Sequence, residues 1–485
     1  MTDLEPPKPR PAWIAGKPEQ GAAELVVHHP FDGSEVATVA VPGPDQVERA
    51  VAAAASVFKE FRATPAHVRA NALEHISKRI AERAEEIAEI ITAENGKPLK
   101  WATGEVGRAV NTFRIAAEEA RRFTGEVMRL DTDPAADGRV AMIKRVPRGP
   151  VLGISPFNFP LNLVAHKVAP ALAVGAPIII KPAPRTPLTA LILGEILAET
   201  NLPEGAFSVL PVGNEETAAL VRDERLPIVS FTGSGPVGYS IMDSVPRKHV
   251  VLELGGNAAA VVLGDWNSPE DLDWAAKRIA LFSNYQGGQS CIAVQRVLVD
   301  RAVYEEFLPR LVGEVGALRT GSPHDPDVEV GPLVDQAAAE RVEQWINDAV
   351  SAGAKVLAGG TRDGSTVAPT VLVDVPKDQK VWCEEVFGPV LAVAAVDGVD
   401  EAFAEVNDSQ FGLQAGVFTH DVQVAFRAGS ELEVGGVIIG DVPSYRADQL
   451  PYGGVKGSGV GREGVRTTMA DFSEEKVVVL TGVSW

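Results

Sequence analysis

Cysteine is scarce in this chain of 485 residues, which contains only Cys291 and Cys383. Two cysteines cannot build the disulfide framework of a secreted protein, and a reducing compartment fits this count better. The first residues include Asp3 and Glu5 and no apolar stretch, so we do not expect a secretory signal peptide there. The low cysteine count and the polar first residues predict a cytoplasmic protein.

Long hydrophobic runs and an excess of basic residues are also missing. The longest apolar run, residues 168–180, is interrupted by Pro170 and Pro177 and is too short to span a membrane. Lysine and arginine number 45 against 65 acidic residues, which gives a formal net charge of −20. Because an acidic surface repels phosphate backbones, we expect neither nucleic acid nor a membrane as a partner.

What the chain does have is a regular alternation of short apolar runs and helical stretches from about residue 150. Continuous apolar strands that alternate with helices are typical of a parallel sheet covered on both faces. A second alternating set extends from about residue 258 to about residue 440, so the sequence predicts two α/β domains. In the first set we predict strands at residues 151–155, 177–180, 208–211, 228–231 and 250–253, and helices at residues 161–174, 187–200, 215–221 and 235–245.

The regions outside these two sets also carry patterns. An Ala-rich amphipathic pattern predicts a helix over residues 45–62, and apolar residues three and four apart predict another over residues 68–93, ended by Gly96. Alternating residues predict a projecting hairpin over residues 128–148 and a strand over residues 475–481. An exposed strand at a chain end often adds to a partner's sheet, which points to oligomerisation.

A glycine-rich turn follows the fourth predicted strand. Gly233, Gly235 and Gly238 form a G-x-G-x-x-G pattern between a strand and a helix, which is the context in which such turns bind phosphate. Glu253 lies twenty residues after Gly233, where the usual dinucleotide fingerprint places a carboxylate on the cofactor ribose. An isolated match of this kind is also compatible with a turn that binds nothing.

Cys291 lies in a polar loop that begins with Gly287 and Gly288. A thiol in such a loop can be approached closely by a substrate, whereas a structural cysteine usually lies in an apolar run. We therefore interpret Cys291 as a nucleophile and Cys383, which follows an apolar pair, as a packing residue. Because no His or Asp is near Cys291 in the sequence, its partner has to come from elsewhere in the fold.

Further segments are weak signals when each is taken alone. Asn158, held between two prolines, is either a turn residue or an amide donor to an oxyanion. Lys181 ends a buried apolar strand, at the edge where parallel sheets bind ligands. The acidic and aromatic loop at residues 384–389 and the glycine-rich loop at residues 451–463 are, on their own, typical of solvated loops.

Together, in their order and rough spacing, these six segments resemble the aldehyde dehydrogenase superfamily from about residue 30 to about residue 480. The resemblance implies an α/β fold with two Rossmann-like parallel-sheet domains, a small oligomerisation hairpin and strand, binding of NAD or NADP, and assembly into a homodimer or homotetramer. The implied domains are residues 1–127 and 149–252 for dinucleotide binding, residues 253–440 for catalysis, residues 128–148 and 465–485 for oligomerisation, and residues 441–464 returning to the cofactor domain.

The resemblance also implies catalytic roles. The cysteine of the family's GQxCxA loop is the nucleophile, here Cys291, and the asparagine of PFNFP donates to the oxyanion, here Asn158. The glutamate of ELGG is the general base, here Glu253, which replaces the ribose contact inferred from the fingerprint. The implied reaction oxidises an aldehyde through a thiohemiacetal and a thioester that water hydrolyses, with no metal. Cys291 would also allow a rival activity, the hydrolysis of activated esters without a cofactor.

The chain departs from the family where the cofactor is selected. The family often has Glu three positions after the strand lysine, and here that position is Pro184, followed by Arg185. No carboxylate remains to repel a 2′-phosphate, so we expect NADP to be accepted as well as NAD. A second departure is Asp441, where many members have Asn. The cofactor residues that the resemblance implies, besides Arg185, are Pro156, Lys181 at the adenosine ribose, Gly233, Ser234 at the pyrophosphate, and Glu385 and Phe387 at the nicotinamide ribose.

The substrate remains open at this stage. Arg108 and Arg446 would line the substrate funnel and favour a small anionic aldehyde such as a semialdehyde. The alternative for both is a structural ion pair, which is the more usual fate of an arginine. Phe113 and Phe159 would instead make an apolar funnel for uncharged aldehydes.

Overall fold

The computed structural model describes residues 9–483, in which strands and helices alternate along the chain. The strands are β1 (Ala12–Ile14), β2 (Lys17–Glu19), β3 (Ala23–His28), β4 (Glu35–Val41), β5 (Glu126–Arg129), β6 (Arg139–Pro147), β7 (Val151–Ile154), β8 (Ile178–Lys181), β9 (Phe207–Val209), β10 (Ile228–Thr232), β11 (His249–Glu253), β12 (Ala259–Val262), β13 (Arg296–Asp300), β14 (Lys355–Ala358), β15 (Arg362–Asp363), β16 (Thr366–Val367), β17 (Thr370–Val373), β18 (Val390–Val396), β19 (Phe411–Gly412), β20 (Gln414–Phe418), β21 (Gly436–Ile439), β22 (Val455–Lys456), β23 (Gly459–Val460) and β24 (Ser473–Thr481). The helices are α1 (Pro44–Phe61), α2 (Ala66–Glu82), α3 (Ala84–Asn95), α4 (Leu99–Arg122), α5 (Asn162–Val174), α6 (Leu188–Ala198), α7 (Asn214–Arg222), α8 (Gly235–Ser244), α9 (Pro269–Asn284), α10 (Arg301–Gly316), α11 (Gln336–Ser351), α12 (Lys380–Cys383), α13 (Gly398–Asn407), α14 (Val422–Glu431) and α15 (Val465–Asp471).

The first sheet has the strand order β2-β1-β9-β8-β7-β10-β11-β23. Its middle strands, β7 to β11, are parallel to one another and are the strands predicted from the first alternating set, with bounds that agree within two residues. The side chains of β7 and β8 are buried, as are all those of α5. The predicted parallel sheet is therefore confirmed, and the apolar character of its strands follows from burial on both faces.

The second sheet has the order β14-β17-β18-β13-β12-β20-β21. Its strands are parallel except for β14, which pairs antiparallel with β17 at one edge. These elements confirm the second alternating set. The chain then returns to the first sheet, where Gly459 of β23 is the register partner of Glu253 on β11.

The helix predicted over residues 68–93 is divided into α2 and α3. Arg83, at the junction, has φ −106° and ψ 21°, outside the helical range. Ile80 and Ile87 on either side are both in the core, so the apolar spacing continues across the break and does not reveal it. α3 ends where predicted, at Gly96 with φ 74°, a left-handed cap that favours glycine.

A third, small sheet contains the predicted hairpin and terminal strand. β5 and β6 form the hairpin, and β24 pairs antiparallel with β6 from Ser473 opposite Pro147 to Thr481 opposite Arg139. After its first residue, the side chains of β24 are all exposed. Residues 484–485 of the predicted oligomerisation segment, and residues 1–8 of the first predicted domain, lie outside the described residues.

In the part of the chain that the structure describes, no helix combines the length and the apolar composition that a membrane span requires.

Candidate active site

The carboxyl ends of β7, β8, β10 and β11 lie at the same edge of the first sheet. Ile154 and Lys181 are register partners on β7 and β8, and Thr232 and Glu253 are register partners on β10 and β11. Ligands bind at this edge of parallel sheets because the loops that leave the strands converge there. The loop after β7 carries Asn158, so three predicted site residues come from one edge.

Cys291 follows a tight turn at the end of α9. Gly287 and Gly288 have φ of 64° and 70°, in the left-handed region that favours glycine. A Cβ at Gly288 would meet the carbonyl oxygen of Gly388 at 2.1 Å. Only glycine fits there, and the cysteine loop therefore lies directly against the backbone of the loop at residues 384–389.

Asn158 is buried and is linked to the cysteine loop through two contacts. Its Nδ2 donates to the carbonyl oxygen of Gln289, and its own carbonyl oxygen accepts from the side-chain amide of Gln286. Within residues 9–483, Asn158 Oδ1 has no hydrogen-bond partner. These contacts fix the side-chain amide of Asn158 against the loop that carries Cys291.

The sulfur of Cys291 lies 2.8 Å from the hydroxyl oxygen of Tyr452. Burial raises the pKa of Cys291 to about 12, and the hydrogen bond to Tyr452 opposes that rise. The carboxyls of Glu385 and Glu253 act to raise it further, while Arg446 acts to lower it. The resting thiol is therefore protonated at neutral pH and needs a base before it can act as a nucleophile.

Glu253 is 3% exposed, and neither of its carboxyl oxygens has a hydrogen-bond partner among the described residues. Burial and the nearby Glu463 raise the pKa of Glu253 well above its usual value, against the opposing charges of Arg446 and Lys167. A buried carboxyl without partners favours its neutral form. Glu253 can accept a proton only after it has lost its own, so pH governs when it acts as a base.

Lys167, on α5, is a site residue that the sequence motifs miss. Its Nζ donates to the hydroxyls of Ser230 and Thr232, at 3.1 Å and 2.7 Å, and lies 3.9 Å from Glu463. Burial acts to raise the pKa of Glu463, but Arg446 and its other cationic neighbours lower it to about 2. The feature of the sequence that could have identified Lys167 was its position directly before the apolar run of residues 168–180.

A cavity of about 280 Å³ lies beside Cys291, lined by side chains of α4, α5 and α9 and of the glycine-rich loop. Arg108, Phe159 and Arg446 line it. Phe113 is fully buried in the hydrophobic core instead, so its assignment to the funnel is wrong. Phe113 follows Arg108 by five residues on α4, and at 3.6 residues per turn its side chain leaves the helix about 140° away.

Among the described residues, three arginines line the cavity, and each is paired with a carboxylate. The pairs are Arg108 with Asp448 at 2.9 Å, Arg278 with Asp441 at 2.7 Å, and Arg446 with Glu463. The two alternatives for Arg108 and Arg446, cavity lining and ion pairing, are therefore both realised. The sequence analysis did not identify Arg278. The feature that could have identified it was Asp441, its ion-pair partner, which occupies a position where many related proteins have Asn.

The glycine-rich turn before α8 has the close packing that a phosphate site needs. A Cβ at Gly233 would meet the ring of Phe231 at 2.6 Å, and Ser234 is exposed at the N-terminus of α8. Lys181 is buried at the end of β8, two strands from β10 in the same sheet, where burial lowers its pKa, and Pro156 is half-buried after β7. A helix N-terminus and a lysine at one sheet edge fit the phosphates and ribose of a dinucleotide.

The loop at residues 384–389 faces the same edge. The side chain of Glu385 accepts a hydrogen bond from the backbone of Gly256 at 3.0 Å, and burial raises its pKa to about 7. Phe387 has a left-handed φ of 48° and packs edge-on against Phe157, with ring centroids 5.8 Å apart. A half-buried carboxyl beside an aromatic ring fits the ribose and nicotinamide end of a dinucleotide.

Arg185 is exposed and pairs with Asp335 at 2.9 Å. It lies beyond Lys181 on the loop that leaves β8, next to Pro184. A guanidinium at this position is free to exchange a solvent-exposed carboxylate partner for a phosphate.

Known proteins resemble this chain over nearly its whole length. A sequence model of the aldehyde dehydrogenase family matches residues 16–478. The chain belongs to the aldehyde dehydrogenase family. A 3-sulfolactaldehyde dehydrogenase of Priestia aryabhattai is 40% identical over 481 residues, which cover 99% of this chain and 100% of that protein.

Solved aldehyde dehydrogenase structures are similarly close. Aldehyde dehydrogenase 21 of Physcomitrella patens, in complex with the reaction product succinate, is 44% identical with a TM-score of 0.96 and 99% of each chain covered. An NADP-dependent glyceraldehyde-3-phosphate dehydrogenase of Bacillus halodurans C-125, in complex with NADP, is 33% identical with a TM-score of 0.93, covering 98% of this chain and 100% of that one. The family and the α/β fold predicted from the sequence are confirmed. As an aldehyde dehydrogenase, the chain is an NAD(P)-dependent oxidoreductase that oxidises an aldehyde to a carboxylic acid.

Proposed function

We propose that this aldehyde dehydrogenase oxidises a small aldehyde whose far end carries a carboxylate or a sulfonate, through a covalent thioester on Cys291. The observation that carries the proposal is that one cavity, of about 280 Å³, is lined both by Cys291 and by Arg108, Arg278 and Arg446. A guanidinium binds planar anionic groups through paired, charge-assisted hydrogen bonds. A cavity of this size accommodates a small ligand and little more.

Arg446 supports an anionic substrate most directly. In the described structure its Nε is buried and has no hydrogen-bond partner, and an unpaired buried donor is costly unless a ligand satisfies it. Its guanidinium carbon lies 3.9 Å from the ring centroid of Tyr452, whose hydroxyl contacts the sulfur of Cys291. One aromatic ring thus separates the cation from the sulfur, which suits an aldehyde with only a few carbon atoms.

The names of two relatives support the same class. The Priestia relative is named for 3-sulfolactaldehyde, which carries a sulfonate, and the Physcomitrella structure contains succinate, which carries two carboxylates. Both are small molecules with an anionic end. They support a carboxylate or a sulfonate as the anionic group of the substrate.

The carbon–sulfur bond forms first. Ionised Glu253 takes the thiol proton of Cys291, and the thiolate attacks the aldehyde carbon to give a thiohemiacetal alkoxide. The side-chain amide of Asn158 and the backbone N–H of Cys291 donate to that oxygen, where one such donor is typically worth about 10²–10³ in rate. The nicotinamide cofactor, when bound, supplies the hydride acceptor. Loss of hydride from the carbon re-forms the carbonyl and leaves a thioester.

Hydrolysis then releases the product. Glu253 first releases to solvent the proton that it took from Cys291. A water molecule then attacks the thioester carbon while ionised Glu253 takes its proton, and the carbon–sulfur bond breaks. The acid leaves, and the Cys291 thiolate takes the proton from Glu253 and returns to the starting thiol. The position of Glu253 at the end of β11, at the sheet edge whose loop after β7 carries Asn158, supports this role. A general base of this kind typically contributes about 10²–10⁴ in rate.

Within the NAD(P) chemistry of the family, the chain is proposed to use NADP as well as NAD. Pro184 leaves no carboxylate against a 2′-phosphate, and Arg185 offers a positive charge on the same exposed loop. The Bacillus halodurans structure, which contains NADP, supports a fold compatible with that cofactor.

The experiment is an absorbance assay for reduced nicotinamide with NAD and NADP in parallel. Succinic semialdehyde, sulfolactaldehyde and the neutral butanal serve as substrates, and Cys291→Ala is the control. We expect the anionic aldehydes to give a kcat/KM at least tenfold above butanal, and no signal in the variant. Preference for butanal would contradict the substrate class. Ester cleavage without any cofactor-dependent signal would favour the esterase alternative.

The chain is further proposed to form a homodimer or homotetramer through the third sheet. Its proposed location is the cytoplasm, and its proposed domain limits are those predicted from the sequence. Support comes from β24, whose Val477 and Val479 are 56% and 50% exposed on an edge strand, because exposed apolar edges are usually covered. Sedimentation of the wild type and of Val477→Lys tests this assembly. A wild-type monomer would contradict it.

A further inference from the structure

Tyr452 is a residue of the glycine-rich loop that none of the predicted roles uses. Its side chain is 4% exposed, and its hydroxyl is the hydrogen-bond partner of the Cys291 sulfur, at 2.8 Å. We propose that Tyr452 is a catalytic residue whose hydroxyl donates a hydrogen bond to the Cys291 sulfur when that sulfur is a thiolate. The inference rests on the proposed function, in which Cys291 is the nucleophile.

The ring of Tyr452 is held on several sides. Its backbone N–H donates to the carbonyl of Glu463 at 2.8 Å, and the backbone N–H of Glu463 donates back to the carbonyl of Tyr452. The guanidinium of Arg446 covers one face of the ring, and Ile292 and Leu413 pack against the side chain. Because the ring cannot swing away, its hydroxyl stays directed at the sulfur while the thiol changes its protonation.

The charges that face the sulfur make this contact important. Glu253 and Glu385 disfavour a thiolate, while Arg446 favours one but is already paired with Glu463. Tyr452 supplies the hydrogen bond that touches the sulfur itself. A donor to a partly buried anion contributes more than the same donor in water, because solvent screens it less.

Tyr452 acts in this step as a donor and not as a base. Burial and the neighbouring sulfur raise the pKa of Tyr452 well above its usual value, so it keeps its proton when the thiol loses one. The thiol proton goes to Glu253, as in the proposed reaction, and no bond of Tyr452 is made or broken. The cation over the ring draws electron density from it and strengthens the O–H as a donor.

The test measures the ionisation of Cys291 without aldehyde or cofactor. In a Cys383→Ala background Cys291 is the only cysteine, and its rate of alkylation by iodoacetamide is followed against pH. Tyr452→Phe removes the hydroxyl and keeps the ring beneath Arg446. We expect rates about three- to fourfold lower at every pH below the inflection, because a pKa about one unit higher lowers the thiolate population tenfold and the greater reactivity of that thiolate partly offsets the loss.

A matched control and a second readout keep the result specific. Tyr239→Phe removes a hydroxyl that donates to the carbonyl of Lys456, in the same loop, at 3.1 Å, and should leave the profile unchanged. Carbon NMR of cysteine labelled at Cβ follows the same titration without any reagent. In the native background the Cys383 signal reports an intact fold.

Superposable titrations of the parent and Tyr452→Phe by both methods would overturn the inference. Failure of the proposed function has a different signature. If Cys291→Ala still oxidised aldehydes, the nucleophile would be elsewhere, while the cysteine titration would still report whether Tyr452 supports the thiolate.

Discussion

The side-chain amide of Asn158 donates a hydrogen bond to the carbonyl oxygen of Gln289, with 2.9 Å between the two atoms. One amide hydrogen therefore holds the loop that leads into Cys291, and the other remains for a substrate oxygen. The proposed nucleophile and the proposed oxyanion donor are thus positioned by the same contact.

Asn158→Ala should lower kcat by about 10²–10³, because the developing oxyanion loses one of its donors. The alkylation rate of Cys291 in the variant shows whether the loop itself has moved. A large loss of kcat with an alkylation rate within a few-fold of wild type fits oxyanion binding. Loss of both would assign Asn158 a purely structural role.

Glu253→Gln should lower kcat by about 10²–10⁴, because the thiol of Cys291 and the water that hydrolyses the thioester lose the same base. A steady-state assay at several pH values measures the loss, and the alkylation rate of Cys291 at each pH shows how much of it comes from the thiol step. Since the pKa of Glu253 is raised well above its usual value, the carboxyl is a base only at higher pH. Wild-type kcat should rise with pH, and the variant should lack that rise. A variant that turns over at the wild-type rate would contradict the role.

Arg108→Gln should raise KM for succinic semialdehyde by about 10- to 100-fold, the effect of losing a charge-assisted hydrogen bond. The KM for butanal should change little, which makes the neutral aldehyde the internal control. Asp448 keeps its partner His166 at 3.1 Å in the variant, so its carboxylate is not left unpaired. Equal losses for both aldehydes would indicate a structural effect.

Arg185→Ala should raise KM for NADP by about tenfold and leave NAD unaffected, because only NADP carries the phosphate that a guanidinium would bind. Asp335→Asn is the matched control, since it releases Arg185 from its 2.9 Å ion pair. That variant should bind NADP at least as well as the wild type. The same loss for both cofactors in Arg185→Ala would exclude selective phosphate binding.

Glu94→Gln should change how the stability of the protein depends on pH. Glu94 accepts hydrogen bonds from the backbone of Leu188 and Thr189, and burial raises its pKa to about 7. A carboxyl whose pKa is higher in the folded state stabilises the fold below its unfolded pKa, and this contribution is lost as pH rises through the folded pKa.

Between about pH 4.5 and pH 7 the wild type should therefore lose about 3 kcal/mol that the variant keeps. Thermal melts of both proteins at several pH values measure the difference. Parallel pH profiles would mean that folding does not raise the pKa of Glu94.

The five parallel strands in the middle of the first sheet were predictable because each is a short, mostly buried apolar run between turn residues. The edge strands β1, β2 and β23 were not predicted. Lys181 and Glu253 were placed at the carboxyl edge by the same pattern, since each ends its strand. The division of the helix at Arg83 was not predictable, because Ile80 and Ile87 continue the apolar spacing across it.

The residues that the sequence missed depend on contacts between distant segments. Tyr452 meets Cys291 across a separation of 161 residues, and Lys167 meets Glu463 only through the packing of α5. The prediction for Phe113 was wrong for the opposite reason. Phe113 is close to Arg108 in the sequence, but the helix rotates between them, so the two side chains point in different directions.

Gly288 presses against the carbonyl of Gly388, and a Cβ at Gly256 would meet the carbonyl of Cys291 at 2.7 Å. The loop that carries Cys291 is therefore packed tightly against neighbouring main chain, while the cavity beside Cys291 is lined by exchangeable side chains such as Trp101 and Phe282. Random mutagenesis should therefore find almost no tolerated substitutions at the glycines around Cys291 and many at the side chains that line the cavity. Directed evolution toward new aldehydes would draw its variants from α4 and α9, and the glycines around the nucleophile would remain invariant in every surviving clone.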